Sequence, residues 1–264
     1  MMYVLAIVNQ KGGVGKTTTA VTLAHGLASA GRKTLLVDLD AQGNVADALG
    51  LQKAPGLYEL LIDKQGYDAA VPSQRQDLGC VLSDKTTAQL KQLLVTQLRR
   101  EMVLKKALAP FERLYDVVVL DLAPGVDVLQ VAAFVAADGF IIPVKLDHLA
   151  VIGAGDALQS VRALKEADVP YGRFLGVLPT FWDRTTNESH EQLVYLAEHF
   201  QRLVWPPIPV DTKAREAPAH GETLWEYAAQ TRALHGVRIN GSQRGGYAQV
   251  LERLEEVLNG AETD

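Results

Sequence analysis

Tyr3-Val4-Leu5-Ala6-Ile7-Val8-Asn9-Gln10-Lys11-Gly12-Gly13-Val14-Gly15-Lys16-Thr17-Thr18 opens the chain and sets its fold. Residues 3–8 are apolar and largely β-branched, as a fully buried parallel strand requires. After Thr17 the chain runs to Ala30 with few breakers and stops at Gly31, a natural helix end. Gly15-Lys16-Thr17 completes the phosphate-loop pattern G-x-x-x-x-G-K-[ST], and strand, loop and helix are its proper setting. Gly12, Gly13 and Gly15 carry no Cβ, so backbone N–H groups can converge on an anion. The helix N-terminus adds partial positive charge. Lys16 is expected on the β- and γ-phosphates and the Thr17 hydroxyl on Mg²⁺. The ordinary pattern has glycine at position 10; here Gln10 is followed by a second lysine, Lys11. One lysine suffices for the phosphates, so Lys11 needs its own explanation.

Composition narrows the class. The 264 residues are expected to form one α/β domain spanning 1–264, since no linker, low-complexity tract or repeat divides them. No apolar run approaches the ~20 residues of a membrane span, and the N-terminus lacks a signal-peptide layout. Cys80 is the sole cysteine, which excludes an intramolecular disulfide framework and points to a buried structural thiol. The expected location is cytoplasmic. A net charge of −5 does not advertise nucleic-acid binding; only a local basic patch could supply it.

Strand-like runs recur at 33–38, 78–82, 116–120, 139–144 and 173–179. Helical stretches lie near 17–30, 87–108, 126–137, 149–167, 187–200 and 245–259, with irregular segments at 204–222 and 235–246. This alternation predicts a three-layer α/β fold: a mostly parallel twisted sheet with helices on both faces. Ligands on such sheets sit at the strands' carboxyl ends. Those ends carry Asp38 and Asp40, Asp121, and Pro179-Thr180. Asp38 and Asp40 read as two acids on one face of a strand end. Val117-Val118-Val119-Leu120-Asp121 has the Walker B form, with Asp121 expected in the magnesium shell through a water. Asp38 is read either as a second magnesium-shell acid or as a structural strand terminus. Asp40 is placed near the attacking water. An ordinary carboxyl is too acidic to deprotonate water at neutral pH, so Asp40 orients it and hydrolysis is slow.

Four separated stretches together resemble the ParA group of deviant Walker A ATPases, which includes MinD. They are Asn9 to Thr18; Val37-Asp38-Leu39-Asp40-Ala41-Gln42-Gly43-Asn44; Leu178-Pro179-Thr180 with Asp183-Arg184-Thr185; and Ile208-Pro209 through Glu216-Ala217 to Gly221. Gln10 leans towards ParA over MinD. The resemblance implies ATP and Mg²⁺ as cofactors and an ATP-dependent homodimer. Lys11 would then reach the phosphates of the partner's ATP, giving the charge stabilisation that an arginine finger gives elsewhere. The remaining loop residues, Gly12, Gly13, Val14, Gly15, Lys16, Thr17 and Thr18, would contact ATP, Gly12 allowing close approach at the interface. Pro179-Thr180 and Pro209-Val210 would flank the adenine. Ala41 replaces the family's switch proline and Leu122-Ala123 its usual polar residue and proline, while Pro124-Gly125 keeps a backbone donor for the γ-phosphate.

The same resemblance implies a ParB-like centromere-binding partner and non-specific DNA binding on the nucleoid. Lys213, Arg232, Arg238 and Arg244 are the expected DNA contacts, and the basic stretch 89–106 is a second candidate. The strand begins near residue 3, so no N-terminal helix-turn-helix extension is expected. Three alternatives stand beside this reading: MinD-like membrane attachment, positioning of a protein cargo, and a metabolic synthetase of dethiobiotin type. Residues 248–264 carry five acids and only Arg253, which suits core packing and not an anionic membrane.

Overall fold

The computed structural model describes residues 1–147 and 150–261. Its main strands are β1 (Tyr3–Ile7), β2 (Thr34–Asp38), β3 (Val71–Arg75), β4 (Leu78–Val81), β5 (Val117–Asp121), β6 (Gly139–Lys145) and β7 (Arg173–Thr180). They form one sheet in the order β3-β4-β2-β5-β1-β6-β7, parallel throughout except for the β3–β4 edge. The helices are α1 (Lys16–Ser29), α2 (Asn44–Leu49), α3 (Gly56–Tyr58), α4 (Thr86–Val95), α5 (Val103–Leu108) and α6 (Val128–Ala136). They continue with α7 (Ala150–Glu166), α8 (Asn187–Phe200), α9 (Lys213–Glu216), α10 (Leu224–Tyr227), α11 (Arg232–His235) and α12 (Tyr247–Ala261). The expected α/β class is the one found.

The strands alternate between two cores, because successive side chains leave opposite faces of a strand. Leu5 and Ile7 of β1 join Val117 and Val119 of β5 in the core under α1 and α12. Val4, Ala6, Val118 and Leu120 join Phe111, Phe134 and Leu104 in the other. Burying each such side chain stabilises by about 1.5–3 kcal/mol, which is why these runs are apolar on both faces. Parallel register sets the carboxyl ends level: Ile7 pairs with Asp121, and Asp121 with Asp38. The loop after β1 therefore emerges beside both acids.

Three local expectations need correction. The helix expected over 87–108 is broken: α4 ends at Val95, Arg99 takes a left-handed φ of 55°, and α5 begins at Val103. In an unbroken helix Leu94 and Leu98 would share a face. The break buries Leu94 and Leu104 together and turns Leu98 outward. The irregular segment 235–246 contains a hairpin, β8 (Val237–Ile239) and β9 (Ser242–Arg244). Its turn is Asn240-Gly241 with φ of 48° and 82°, the pair of positive angles a type I′ turn needs. Edge strand β3 was unforeseen because Pro72, Ser73 and Gln74 break any apolar alternation. Of the helix expected at 149–167, Leu149 lies outside the described residues.

Helix α12 packs as expected: Val250, Leu254 and Leu258 are buried, and Glu255 bonds Arg32 of the chain between α1 and β2 at 2.9 Å. Cys80 is buried, and desolvation pushes its thiol up to about 12, which leaves it unreactive. Among the described residues no helix is long and apolar enough to cross a membrane.

Candidate nucleotide site

Backbone conformation and hydrogen bonds within the chain hold the loop between β1 and α1. Gly13 and Gly15 have φ of 71° and 89°, which side chains with a Cβ adopt only at a cost. Asn9 is 1% exposed; its amide donates to the Pro143 carbonyl at 2.7 Å, and its Oδ1 accepts the Lys11 N–H at 2.8 Å. Sequence reasoning used Asn9 only as part of a motif. A buried amide closing an apolar strand was the available sign of an anchor. Val14 is buried and its carbonyl accepts the Thr180 hydroxyl at 2.9 Å, so β7 braces the loop. A Cβ at Gly12 would meet nothing within 4 Å among the described residues, so no contact with them demands glycine there.

The two lysines part company. Lys16 is buried, and its Nζ donates to the Lys11 carbonyl at 2.9 Å, across the loop. Burial lowers its pKa, while Asp121 and Asp40 act in the opposite direction. Lys11 instead extends to Asp147, its Nζ lying 3.0 and 3.2 Å from the two carboxylate oxygens.

Asp121 is fully buried, and neither oxygen has a hydrogen-bond partner of good geometry among the described residues. Desolvation pushes its pKa up to about 7; the Thr17 hydroxyl and Lys16 pull it down, and Asp40 pushes it up. A buried carboxylate with no well-formed hydrogen bond is costly, and a cation beside it offsets that cost. Mg²⁺ fits here, with Asp121 and the Thr17 hydroxyl on its protein side. No group of three or more His, Cys, Asp or Glu side chains suited to a metal forms among the described residues. Mg²⁺ ordinarily takes one or two carboxylates together with phosphates and waters.

The other acids divide differently from expectation. Strand β2 ends at Asp38, so Asp40 lies in the following turn and not on the strand face. Asp38 Oδ1 accepts the Asp40 N–H at 2.9 Å, and Oδ2 accepts the Val45 N–H at 3.3 Å. Both oxygens thus hold the turn into α2, which fits the structural of its two readings. Burial, then Asp121, raises the Asp38 pKa well above the carboxylate range. Asp40 is 9% exposed, and its Oδ1 accepts the Gln42 N–H at 3.0 Å. Gly125 donates its N–H to the Gln10 carbonyl at 3.0 Å. The donor expected for a γ-phosphate is therefore engaged by the loop itself.

On the side expected for adenine, Ile208 donates to Pro179, Trp182 to Ile208 and Val210 to Trp182 at 2.8, 2.9 and 3.0 Å. This ribbon brings Thr180, Pro209 and Val210 to a small cavity of about 60 Å³ beside Gly15 and Thr18. Pro179 does not line it; its carbonyl holds the ribbon. Phe181 and Arg215 also line the cavity, and the Arg215 guanidinium lies 5.8 Å from the Phe181 ring centre. Both were missed. Only the position of Phe181 directly after Pro179-Thr180 hinted at it.

The candidate DNA contacts are exposed but do not form one flat patch. Lys213 pairs with Glu216 at 2.7 Å and lies over the Tyr227 ring. In the hairpin Arg238 faces Gln243, whereas Arg244 faces Val237, so the two arginines leave opposite faces. Arg232 begins α11 and its backbone N–H bonds Asp211. In the second candidate stretch Lys91 is tied to Asp127 at 2.6 Å.

A glycine loop at the switch point of a parallel sheet, a buried lysine within it and an orphan carboxylate beside it define a P-loop nucleotide hydrolase. A family model described as an AAA domain matches residues 2–170. The chromosome-partitioning ATPase Soj of Thermus thermophilus is 33% identical over 235 residues, covering 89% of this chain and 92% of Soj. Among solved structures, apo McdA from Cyanothece superposes with a TM-score of 0.79 at 26% identity, covering 87% of this chain and 94% of McdA. A structure named as the cobyrinic acid a,c-diamide synthase of Mycobacterium smegmatis has a TM-score of 0.73 at 33% identity, covering 84% and 92%. The chain belongs to the ParA/Soj family of P-loop ATPases.

Proposed function

We propose that this chain is an ATP-gated dimer that binds DNA without sequence preference and, with a ParB-like partner, positions plasmid or chromosome copies. The observation that carries this reading is the division between the loop's lysines. Lys16 lies within its own phosphate loop, whereas Lys11 points away from it. A hydrolase acting alone needs no second lysine at its phosphates. A dimer with two facing nucleotides does, because their combined negative charge must be neutralised before the halves can close.

In the closed state Lys16 and the loop N–H groups hold the chain's own β- and γ-phosphates. Thr17 and Asp121 hold Mg²⁺, which supplies charge compensation at the transferring phosphoryl group. Lys11 serves the partner's phosphates, where it stabilises charge that grows in the transition state. Asp40 orients the attacking water. Asp38 keeps Asp40 in place through its backbone N–H, so the turn into α2 reports on what Asp40 contacts. Replacing Asp40 by Ala should lower ATP turnover at least about 100-fold while leaving an ATP-bound dimer. Sedimentation with ATP checks this, and a variant that stays monomeric counts against the water-orienting role.

DNA binding on this reading uses Lys213, Arg232, Arg238 and Arg244. Because Arg238 and Arg244 leave opposite faces of the hairpin, contact would come from a ridge straddled by phosphates rather than from a plane. Several phosphate contacts per dimer make affinity fall steeply with salt. The chain would then sit on the nucleoid in its ATP state. The deciding experiment is DNA binding with ATP and with ADP, using Lys11→Ala as control. Binding should require ATP and be lost in Lys11→Ala although that variant still binds ATP. Equal binding with ADP, or an unaffected Lys11→Ala, would sink the reading. ATP-dependent dimers that ignore DNA would favour a protein cargo. Turnover that requires a small carboxylic acid would favour a synthetase.

A further inference from the structure

We propose that Asp147 is a positioning residue for Lys11: it holds the lysine on its own protomer until a partner's nucleotide competes for it. The inference rests on the reading of Lys11 as the cation that serves the partner. Lys11 lies in the loop after β1 and Asp147 just beyond β6, the neighbouring strand. The ammonium bonds both carboxylate oxygens, at 3.0 and 3.2 Å.

The backbone of Lys11 is held at both ends: its N–H donates to Asn9 Oδ1 and its carbonyl accepts from Lys16. Only the side chain can change partners without remaking the loop. Asp147 has a second cation at hand, since Lys145 Nζ lies 3.6 Å from its Oδ2. When Lys11 leaves, the carboxylate therefore keeps a counter-charge, which makes the exchange reversible. The Lys11 and Asp147 side chains are 30% and 22% exposed, so water screens the pair. A screened pair of this kind holds its lysine by a factor of about 2–5. A dimer must release two lysines, so the combined restraint is about 4–25-fold.

The test is ATP-dependent dimerisation of the full chain, measured by sedimentation velocity in the Asp40→Ala background. Asp147→Asn should dimerise at a protein concentration about 4–25-fold lower than the parent, and Asp147→Glu should restore the parent behaviour. ATP affinity of the monomer should be unchanged, which a merely structural lesion beside the loop would not allow. Combined with Lys11→Ala, Asp147→Asn should give no further tightening. Dimerisation of Asp147→Asn equal to or weaker than the parent, with Lys11→Ala impaired, overturns the proposal alone. Normal dimerisation of Lys11→Ala overturns the reading of Lys11 and the proposal with it.

Discussion

Lys16→Ala should weaken ATP binding by at least about 30-fold and, at the upper end of the range, abolish it at ordinary concentrations. The side chain is 7% exposed and lies close enough to Asp121 and Asp40 for both to favour its charged form. Burial lowers its pKa, and the two carboxylates act against that lowering. The ammonium is positioned within the loop, where its Nζ donates to the Lys11 carbonyl at 2.9 Å, within a short side-chain rotation of the site expected for the phosphates. Truncating one member of a buried, hydrogen-bonded charge pair costs roughly 2–5 kcal/mol. That corresponds to a loss of about 30-fold to several thousandfold in affinity. Titration calorimetry with ATP measures it, with far-UV circular dichroism verifying the fold. An affinity within about threefold of the parent would mean that Lys16 is not the phosphate lysine. Lys11→Ala is the internal contrast: it should bind ATP almost normally, because its ammonium is directed away from its own loop.

The sequence made the central sheet legible because β1, β2, β5 and β6 are buried on both faces and so read as unbroken apolar runs. It also made the loop and Asp121 legible, since glycine spacing and a strand-terminal acid are local signals. What it hid depends on contacts between distant segments. Lys11 and Asp147 lie 136 residues apart, and only the β1–β6 pairing makes them neighbours. The role of Asp38 follows from which backbone N–H groups its oxygens meet, and no periodicity encodes that. Likewise Phe181 and Arg215 reach the cavity because two irregular segments bond as a ribbon. The hairpin at 237–244 is a different case. Asn240-Gly241 is a strong turn signal, but its flanking strands are too short and too polar to register as strands. The broken helix after Val95 was hidden because every residue from 96 to 102 tolerates a helix, and the break follows from the burial of Leu94 and Leu104.

Asp121→Asn should both disable hydrolysis and stabilise the nucleotide-free protein. Function is lost because a neutral amide is a poor partner for Mg²⁺ at a site with one strong protein acid. Charge stabilisation by the metal is worth several kcal/mol, so turnover should fall on the order of 100-fold or more. Stability rises because the native protein carries a carboxylate that burial penalises and that, among the described residues, no hydrogen bond of good geometry satisfies. Its folded pKa of about 7 lies above the usual carboxylate value, so the folded state binds the proton more tightly than the unfolded state does. Below about pH 4 the group is neutral in both states and carries no penalty. As pH rises from there to about 7 the unfolded state gains from ionisation and the folded state does not, so stability is lost across that window. Above about 7 the loss is complete. The substituted amide cannot ionise, and removing the charge also relieves its repulsion of Asp38. A gain of about 2 kcal/mol at pH 8 would raise the melting temperature roughly 4–8 °C for a chain of this size. Melting curves without nucleotide at about pH 8 and about pH 5 decide the matter, since these lie on either side of the folded pKa. The variant should melt clearly higher at the alkaline value, and the difference should shrink at the acidic one. Identical melting under both conditions would show that Asp121 carries no buried charge, and the argument for a cation beside it would fall with that result.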